Sequence, residues 1–326
     1  MENVIEVENL TKKYKDFIAV DNLSFNVKKG VILGLLGPNG SGKSTTINCI
    51  LSLLKIESGT IKIFGKVMSP DKYDIKKEIG VIFQEVGVFD ELTVYDNIDY
   101  FCGLYITDKE KRKEYVMDAI KLVHLEEYIK HYPKELSGGL LRRLNIACGI
   151  SHKPKLIFLD EPTVAVDPQS RNNILDGIKA LRDEGATILY TTHYMEEAEI
   201  LCDEIIILDK GKIIAQGDCD TLKSLAKIEE KITVETNEIK EKALLAGEVS
   251  KADKEKHIKE LMGKRSVFEL TYNNNLLTIK YSKGKNNLEE LISYLKENKI
   301  KYNRIFSERP TLNDVFLELT GKELRD

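Results

Sequence analysis

Residues 37–45, GPNGSGKST, carry the strongest structural signal in the sequence. It contains the pattern G-x-x-x-x-G-K-[ST], with an apolar run, Val31–Leu36, before it and a helix-like stretch, Thr45–Leu54, after it. Glycines let a backbone bend around an anion with its N–H groups inward, and the following helix adds the positive end of its dipole. Lys43 then offers a point charge to the β- and γ-phosphates, and Ser44 offers an oxygen to Mg²⁺. The alternative, an ordinary glycine-rich turn, does not explain the flanking strand and helix.

A second signal is an apolar strand that ends in two carboxylates, LIFLDEP at residues 156–162. In open α/β folds, ligands bind at the carboxyl edge of a parallel sheet, which is where such a strand places Asp160. Asp160 can hold Mg²⁺ through water, and Glu161 can orient or deprotonate an attacking water. A strand that ends in Asp-Glu is common by itself, so this interpretation depends on the phosphate loop that precedes it.

The third signal is LSGG, residues 136–139, at the start of a helical segment. Two adjacent glycines that open a helix would form another backbone anion site, with Ser137 as a hydroxyl donor. Ser137 could equally be no more than the cap of that helix. The position of the motif, shortly before the strand that ends at Asp160, favours the functional interpretation.

Residues 1 to about 226 read as one α/β domain, because short β-branched runs alternate with helical stretches. The strand signal fades between Glu91 and Glu135, which predicts a helical insertion, and we place a helical subdomain at about 91–150. The predicted strands are Val4–Leu10, Val31–Leu36, Ile61–Phe64, Gly80–Phe83, Lys155–Asp160, Thr187–Thr191, Glu204–Leu208 and Lys212–Ala215.

Residues 227–326 are predicted to form a small α+β accessory domain. Residues 229–265 are dense in Lys and Glu, which is typical of a loosely packed connection. Apolar alternation at 266–272 and 276–281 predicts a hairpin, and apolar residues spaced from Leu288 to Leu295 predict a helix. A closing helix is predicted from a capping box of Thr311 with Asp314 and a stop at Gly321.

Composition sets outer limits on function. The 326 residues carry a formal net charge of −4, which gives no overall polyanion-binding signature, so no nucleic-acid partner is expected. The longest apolar runs are about a third of the ~20 residues that a bilayer span needs. The five cysteines are an odd number and widely scattered, which is consistent with a reducing cytosol.

Taken in order, these motifs resemble those of the nucleotide-binding subunits of ABC transporters, from residue 4 to about 226. Residues 37–45 resemble the Walker A motif, residues 156–161 the Walker B motif with its glutamate, and residues 136–139 the signature motif. The remaining matches are the Q-loop glutamine, the D-loop aspartate, the switch histidine and the aromatic that stacks on adenine: Gln84, Asp167, His193 and Tyr14. The implied fold is a P-loop NTPase of the ABC ATPase type.

The resemblance implies ATP and Mg²⁺ as cofactors and gives each site a set of residues. The implied catalytic residues are Lys43, Gln84, Glu161 and His193. The implied ligands of Mg²⁺ are Ser44, Gln84 and Asp160. The implied contacts with ATP are Tyr14, Gly37, Pro38, Asn39, Gly40, Ser41, Gly42, Lys43, Ser44, Thr45, Leu136, Ser137, Gly138, Gly139 and Asp167.

Each minor match has a structural alternative. Tyr14 could simply fill a strand, and Gln84 could be a solvated strand end. Asp167 with Pro168 also makes a good N-cap and first-turn pair, and both roles can hold together. A lone histidine such as His193 is usually structural, but its place beside the expected γ-phosphate favours catalysis.

The chain departs from the family pattern in two places. Leu140 follows the signature motif where a polar residue is usual, and Val164-Ala165-Val166 precedes Asp167 where the family more often has Gly or Ser and then Leu. We expect ATP binding to persist and the D-loop change to affect rate and coupling across the dimer. Residues 308–326 resemble the C-terminal end of ATPase subunits of the export class, which includes drug, antibiotic and sodium exporters; alternatively they are only a well-capped closing helix.

In the family's geometry, one P-loop and one signature motif cannot form a complete site within one chain. The resemblance therefore implies a head-to-tail pair of chains, a homodimer or pseudo-dimer, with two ATP molecules between them. The resemblance also implies a separate membrane permease and a cytoplasmic, peripheral location on the inner face of the membrane, with ATP-driven closure powering export. Two alternatives are a soluble ABC ATPase that acts on DNA or ribosomes and a regulatory nucleotide-binding module. The single nucleotide-binding half and the absence of a sustained heptad run disfavour the first, and Asp160, Glu161 and His193 disfavour the second.

Overall fold

The computed structural model describes residues 2–226, 228–236, 267–282 and 286–321. The chain divides into two compact units, the first ending at Cys219 and the second beginning at Asp220. The domain boundary near residue 226 stays a prediction. Within the described ranges, no helix has the length and apolar character that crossing a membrane requires.

The strands of the first unit are, in chain order, β1 (Asn3–Tyr14), β2 (Phe17–Lys28), β3 (Ile32–Leu36), β4 (Ser58–Ile63), β5 (Lys66–Val67), β6 (Ile79–Ile82), β7 (Leu156–Asp160), β8 (Thr187–Thr192), β9 (Glu204–Asp209) and β10 (Lys212–Gly217). Its helices are α1 (Lys43–Ile50), α2 (Tyr73–Lys76), α3 (Val94–Gly103), α4 (Lys109–Leu122), α5 (Gly138–Ile150), α6 (Pro168–Asp183) and α7 (Met195–Leu201). Single 3₁₀ turns lie at Glu126–Tyr128 and Pro133–Glu135, and α8 (Cys219–Ser224) lies at the division between the units.

The central sheet of the first unit has the strand order β10-β9-β3-β8-β7-β6. Strands β9, β3, β8, β7 and β6 pair in parallel, and β10 pairs antiparallel with β9. The register sets Leu36 beside Thr192 and Asp160 beside Thr191, so these residues end their strands at one edge. The site forms at this carboxyl edge.

Both faces of the central sheet are buried, which explains the near-continuous apolar strands. On one face, Ile157 and Leu159 share a core with helical residues that include Ile98 and Ile120. On the other face, Phe158 packs with α1 and with an antiparallel sheet of order β2-β1-β4-β5. Neighbouring residues of β7 thus enter different cores, as the two-residue period of a strand requires.

The second unit contains β11 (Ile228–Glu235), β12 (Val267–Asn273), β13 (Leu276–Ser282), α9 (Asn287–Glu297), β14 (Arg304–Glu308) and α10 (Leu312–Thr320) among its described residues. Its sheet has the order β12-β13-β11-β14 and is antiparallel throughout. Ile232, Val234 and Ile279 pack against Leu291 and Leu295 of α9. An α+β arrangement is therefore confirmed for this unit.

Most predicted elements are present. The eight strands named from the first 226 residues are all found, as are the insertion, the tail hairpin and both tail helices. Thr311 and Asp314 form the expected capping box, and Gly321 ends α10 in the left-handed region. Four strands, β2, β5, β11 and β14, were not predicted.

The expectation of a loose connection over residues 229–265 is wrong at its start, because residues up to Glu235 belong to β11. The dense Lys and Glu residues obscured an alternation in which Ile232 and Val234 face the core. Residues 237–265 of that prediction lie outside the described residues, as does Ser266, the first residue of the predicted hairpin.

Candidate active site

The loop after β3 turns directly into α1, which begins at Lys43. Gly42, the residue before the helix, has φ +105°, and a Cβ there would lie 2.6 Å from the carbonyl oxygen of Ala19. A side chain at this position would therefore be strained and would collide with β2. Strand β2 thus holds the loop from behind, which explains why the chain needs glycine here.

Lys43 is almost fully buried and satisfied by the loop itself. Its Nζ donates to the carbonyl oxygens of Gly37 at 2.8 Å and Pro38 at 3.2 Å. It also lies 3.2 Å from Oε1 of Glu161, and the two side chains are 4% and 8% exposed. An ammonium group has three N–H donors, so each of these partners can take one.

Asp160 ends β7 and receives two hydroxyl groups on one carboxylate oxygen. Thr191 Oγ1 donates to Asp160 Oδ1 at 2.6 Å, and Ser44 Oγ donates to the same atom at 3.1 Å. This meeting follows from the strand order, because β8 lies between the strand of the phosphate loop and the strand of Asp160. The result is a compact set of oxygens at the sheet edge.

Glu161 turns the chain sharply away from β7. Its φ is +48°, in the left-handed region, and its N–H is held by Thr191 through Oγ1 at 3.0 Å. His193 Nδ1 lies 3.3 Å from Glu161 Oε2, within ion-pair distance but outside hydrogen-bond geometry. The Glu161 carboxylate therefore lies between a buried lysine and a histidine.

Two further predicted residues, Ser137 and Asp167, each cap a helix. Ser137 caps α5 and accepts the N–H of Leu140 at 3.3 Å, so its structural role is present. Asp167 caps α6 in the same way, and the N–H of Ser170 that it accepts lowers the pKa of its carboxyl group. A Cβ on Gly139 would lie 2.4 Å from Ser170 Oγ and 3.0 Å from Asp167 Oδ2. Gly139 and Asp167, both predicted to contact ATP, are thus neighbours within one chain.

Gln84 lies on an exposed segment after β6. Among the described residues, no hydrogen bond joins its side chain to Ser44 or Asp160, so its assigned contact with Mg²⁺ stays a prediction. Its backbone is firmly held instead: Arg142 of α5 donates to the carbonyl oxygens of Phe83 at 3.2 Å and Gln84 at 2.7 Å. Burial lowers the pKa of Arg142, which is 8% exposed.

Tyr14 ends β1 and is 46% exposed. The ammonium group of Lys12 lies 5.1 Å from the centre of its ring, and Lys12 also pairs with Glu57 at 3.5 Å. A cation on a ring face is attracted by the ring quadrupole and helps to fix the ring. Tyr14 is thus an exposed, braced aromatic surface, and its stacking on adenine stays a prediction.

The structure brings together Lys43, Ser44, Asp160, Glu161 and His193. It adds two residues that sequence reasoning missed, Thr191 and Arg142. A threonine in the wholly buried run TILYTT was a detectable signal, since a buried hydroxyl needs a partner. Arg142 gave no such signal, because its partners are backbone carbonyls 58 and 59 residues away.

A phosphate loop, a buried oxygen cluster and a poised carboxylate on a parallel sheet define a P-loop ATPase. Family models agree with that class: residues 20–164 match the ABC transporter family, and residues 217–320 match the C-terminal domain of DrrA1-3-like ATP-binding proteins. The linearmycin resistance ATP-binding protein LnrL of Bacillus subtilis is 36% identical over 323 residues, 99% of this chain and 100% of that protein. The daunorubicin/doxorubicin resistance ATP-binding protein DrrA of Streptomyces peucetius is 40% identical over 68% of this chain and 67% of its own length.

Solved structures show the same fold. A dimeric bacterial ABC transporter cassette matches with TM-score 0.60 and 30% identity over 66% of this chain and 98% of that chain. The chain belongs to the ABC transporter family of ATP-binding proteins. It is the ATP-hydrolysing subunit of an ABC transporter of the export class, and action on DNA or ribosomes is not favoured.

Proposed function

We propose that this site hydrolyses ATP between two copies of the ATPase fold and that hydrolysis drives export through a separate membrane subunit. The observation that supports it best is the Glu161 carboxylate, held 3.2 Å from Lys43 and 3.3 Å from His193 at the sheet edge. A base that orients water needs this kind of fixed position beside a phosphate-binding loop.

Ser44 and Asp160 fit a magnesium ion by the chemistry of their donors. Both present oxygen atoms, and Mg²⁺ is usually held by one or two protein oxygens together with substrate phosphates and water. Within the residues that the structure describes, no group of three or more His, Cys, Asp or Glu side chains forms a metal cage. Bound there, Mg²⁺ would neutralise charge on the phosphates; Gln84 is the proposed further ligand.

When ATP binds, Lys43 would exchange its ion pair with Glu161 for contacts with the phosphates. Phosphate oxygens compete with Glu161 for the ammonium group of Lys43, since that group has only three donors. Glu161, released from Lys43, would then orient and deprotonate water, while His193 contacts the γ-phosphate. The backbone N–H groups of residues 37–45 would hold the phosphates, and Tyr14 would carry the adenine.

The signature motif completes the site from a second chain. We assign Leu136, Ser137, Gly138, Gly139 and Asp167 to the ATP of the partner subunit, in a head-to-tail pair. A matching solved structure is a dimeric cassette in a post-hydrolysis state bound to ADP and Pi, with 29% identity and TM-score 0.60. A ligand that contacts both halves only when they are closed favours the closed state.

The remaining assignments concern assembly. We assign residues 1–226 to the ATPase domain, with a helical subdomain at about 91–150, and residues 227–326 to an accessory domain. The partner would be a membrane permease, with this chain peripheral on the cytoplasmic face. LnrL and DrrA are named for resistance to antibiotic-type compounds, so we propose a small organic compound as cargo.

The substitution Glu161→Gln tests the chemistry. ATP turnover should fall by roughly 10²–10⁴-fold, the range for losing a general base. ATP binding, followed with a fluorescent ATP analogue, should persist because the phosphate loop is unchanged. The exposed Glu184→Gln variant is the matched control and should keep normal turnover. Unchanged turnover in Glu161→Gln would remove Glu161 from the mechanism.

A further inference from the structure

A carboxylate outside the proposed phosphate site is buried more deeply than Lys43, Asp160 or Glu161 within it. Glu197 lies in the first turn of α7 and is 2% exposed. Burying a charged carboxylate is costly unless hydrogen bonds and opposite charges compensate. Glu197 has both kinds of compensation, hydrogen bonds to one oxygen and an ion pair to the other.

A single oxygen of Glu197 accepts three hydroxyl groups. Thr163 Oγ1 donates to Oε2 at 2.9 Å, Tyr190 OH at 2.7 Å and Thr192 Oγ1 at 2.9 Å. Burial, followed by the charge of Glu197, raises the pKa of Tyr190 well above its ordinary value, so its phenol stays a donor. All three hydroxyl groups are themselves buried.

Two of these donors stand beside the residues proposed for catalysis. Thr163 follows Glu161 by two positions, and Thr192 directly precedes His193. Thr192 Oγ1 also accepts the N–H of Tyr194 at 2.9 Å, so it holds the turn that carries the histidine. The same carboxylate oxygen therefore anchors both chain segments whose side chains meet at 3.3 Å.

The second oxygen of Glu197 faces the helix that Asp167 caps. Arg171 Nε of α6 lies 3.4 Å from Glu197 Oε1, an ion pair without hydrogen-bond geometry. The Arg171 guanidinium also lies 4.8 Å from the ring centre of Tyr194. The start of α6 and the histidine turn are thus linked through one buried charge.

We propose that Glu197 is a positioning residue that sets the placement of Glu161 and His193 relative to each other. This proposal rests on the proposed function, because it acts through those two residues and touches no reacting atom. A glutamine at this position has nearly the same shape but no charge, and one of its two polar atoms is an NH2 donor instead of an acceptor oxygen. The three hydroxyl groups then share a neutral oxygen, which is a weaker acceptor, or one of them faces the NH2 group, and the ion pair with Arg171 is lost.

The test is steady-state ATP hydrolysis by the full chain carrying Glu197→Gln. We expect kcat to fall by about 10–100-fold, because small misplacements of reacting groups cost up to about 10² in rate. The KM for ATP should change by less than about threefold, since the phosphate loop is untouched. Glu196→Gln, an exposed neighbour on the same helix, is the matched control and should keep normal kcat.

A double-variant cycle separates positioning from general damage. If Glu197 acts through His193, adding Glu197→Gln to His193→Ala should lower kcat by less than about twofold further. A full second loss in that background would overturn the proposal, as would equal kcat values for Glu197→Gln and Glu196→Gln. Thr163→Val removes one donor to Glu197 and keeps the side-chain shape, so it should also lower kcat. It replaces Glu197→Gln if that variant does not fold. Normal kcat in Thr163→Val would also overturn the proposal.

Failure of the proposed function gives a different result. In that case the unsubstituted chain shows no ATP turnover, or His193→Ala has the same turnover as the unsubstituted chain. If turnover falls in His193→Ala but is normal in Glu197→Gln, only the proposal for Glu197 is contradicted.

Discussion

The carboxyl edge of the first unit and the small sheet of the second unit are built on opposite principles. At the edge, Lys43, Asp160, Glu161 and Glu197 are all buried charged residues. In the described part of the second unit, by contrast, the core is apolar, and the ion pair Lys231–Glu308 lies at the surface, with side chains 34% and 57% exposed. The carboxyl edge buries charged groups, where desolvation is costly, and the second unit exposes them to water.

The difference separates function from stability. Buried ion pairs often contribute little net stability, because desolvation offsets their attraction. Apolar burial is the main favourable term in folding. Substitutions at the edge should therefore change turnover, whereas truncations in the second core should change the free energy of unfolding of that unit.

Of the substitutions that compare the two regions, the one at Lys43 should have the greatest effect. Lys43→Met removes the buried partner of Glu161 and the charge that is proposed to face the phosphates. Turnover should fall by about 10²–10³-fold, as for other lost electrostatic contacts to a transition state. Steady-state hydrolysis measures it, with the exposed Lys55→Met as control. Equal turnover of the two variants would place the phosphates elsewhere.

The next effect belongs to the second unit. Ile279→Ala leaves a cavity in the core against α9 and should lower the free energy of unfolding of this unit by about 2–5 kcal/mol. Denaturant unfolding followed by circular dichroism measures the change. Leu276→Ala, on the same strand but 42% exposed, is the control and should cost much less. Equal costs would contradict the packing described for this sheet.

A smaller effect is expected where α5 approaches α6 in the first unit. Gly139→Ala places a methyl group 2.4 Å from Ser170 Oγ, so α5 and α6 must separate. The free energy of unfolding of the first unit should fall by about 1–3 kcal/mol, as for other overpacked contacts. At Gly138 a methyl group meets nothing within 4 Å, so Gly138→Ala is the matched control. Thermal unfolding measures both variants. Equal melting temperatures would contradict the close approach of α5 and α6.

Features with local causes could be predicted from the sequence. The phosphate loop, the strand that ends at Asp160 and the capping box of Thr311 are each coded within about ten residues. Strand β11 was obscured because its outward Lys and Glu residues outweighed two core positions, Ile232 and Val234. Alternation in a short charged strand is a weak signal.

Contacts that depend on strand order could not be predicted. Thr191 reaches Asp160 only because β8 lies between β3 and β7, and no local pattern contains that order. Arg142 is a similar case, since both of its carbonyl partners come from a distant segment of the chain. Glu197 takes two hydroxyl partners from the residues just before its own helix, but Thr163 comes from a distant segment. The departure at Ala165 has a visible consequence: it adopts φ +59°, a conformation that glycine takes with less strain.

The most direct test of the central claim, that two chains share each ATP, is a mixing experiment. Lys43→Met disables the phosphate loop, and Ser137→Asp keeps the helix cap while placing negative charge against the phosphates. Each variant alone should be nearly inactive. In an equal mixture, half of the dimers combine an intact loop with an intact signature motif at one of two sites, so roughly a quarter of normal turnover should return. A mixture no more active than its separate components would contradict the shared site.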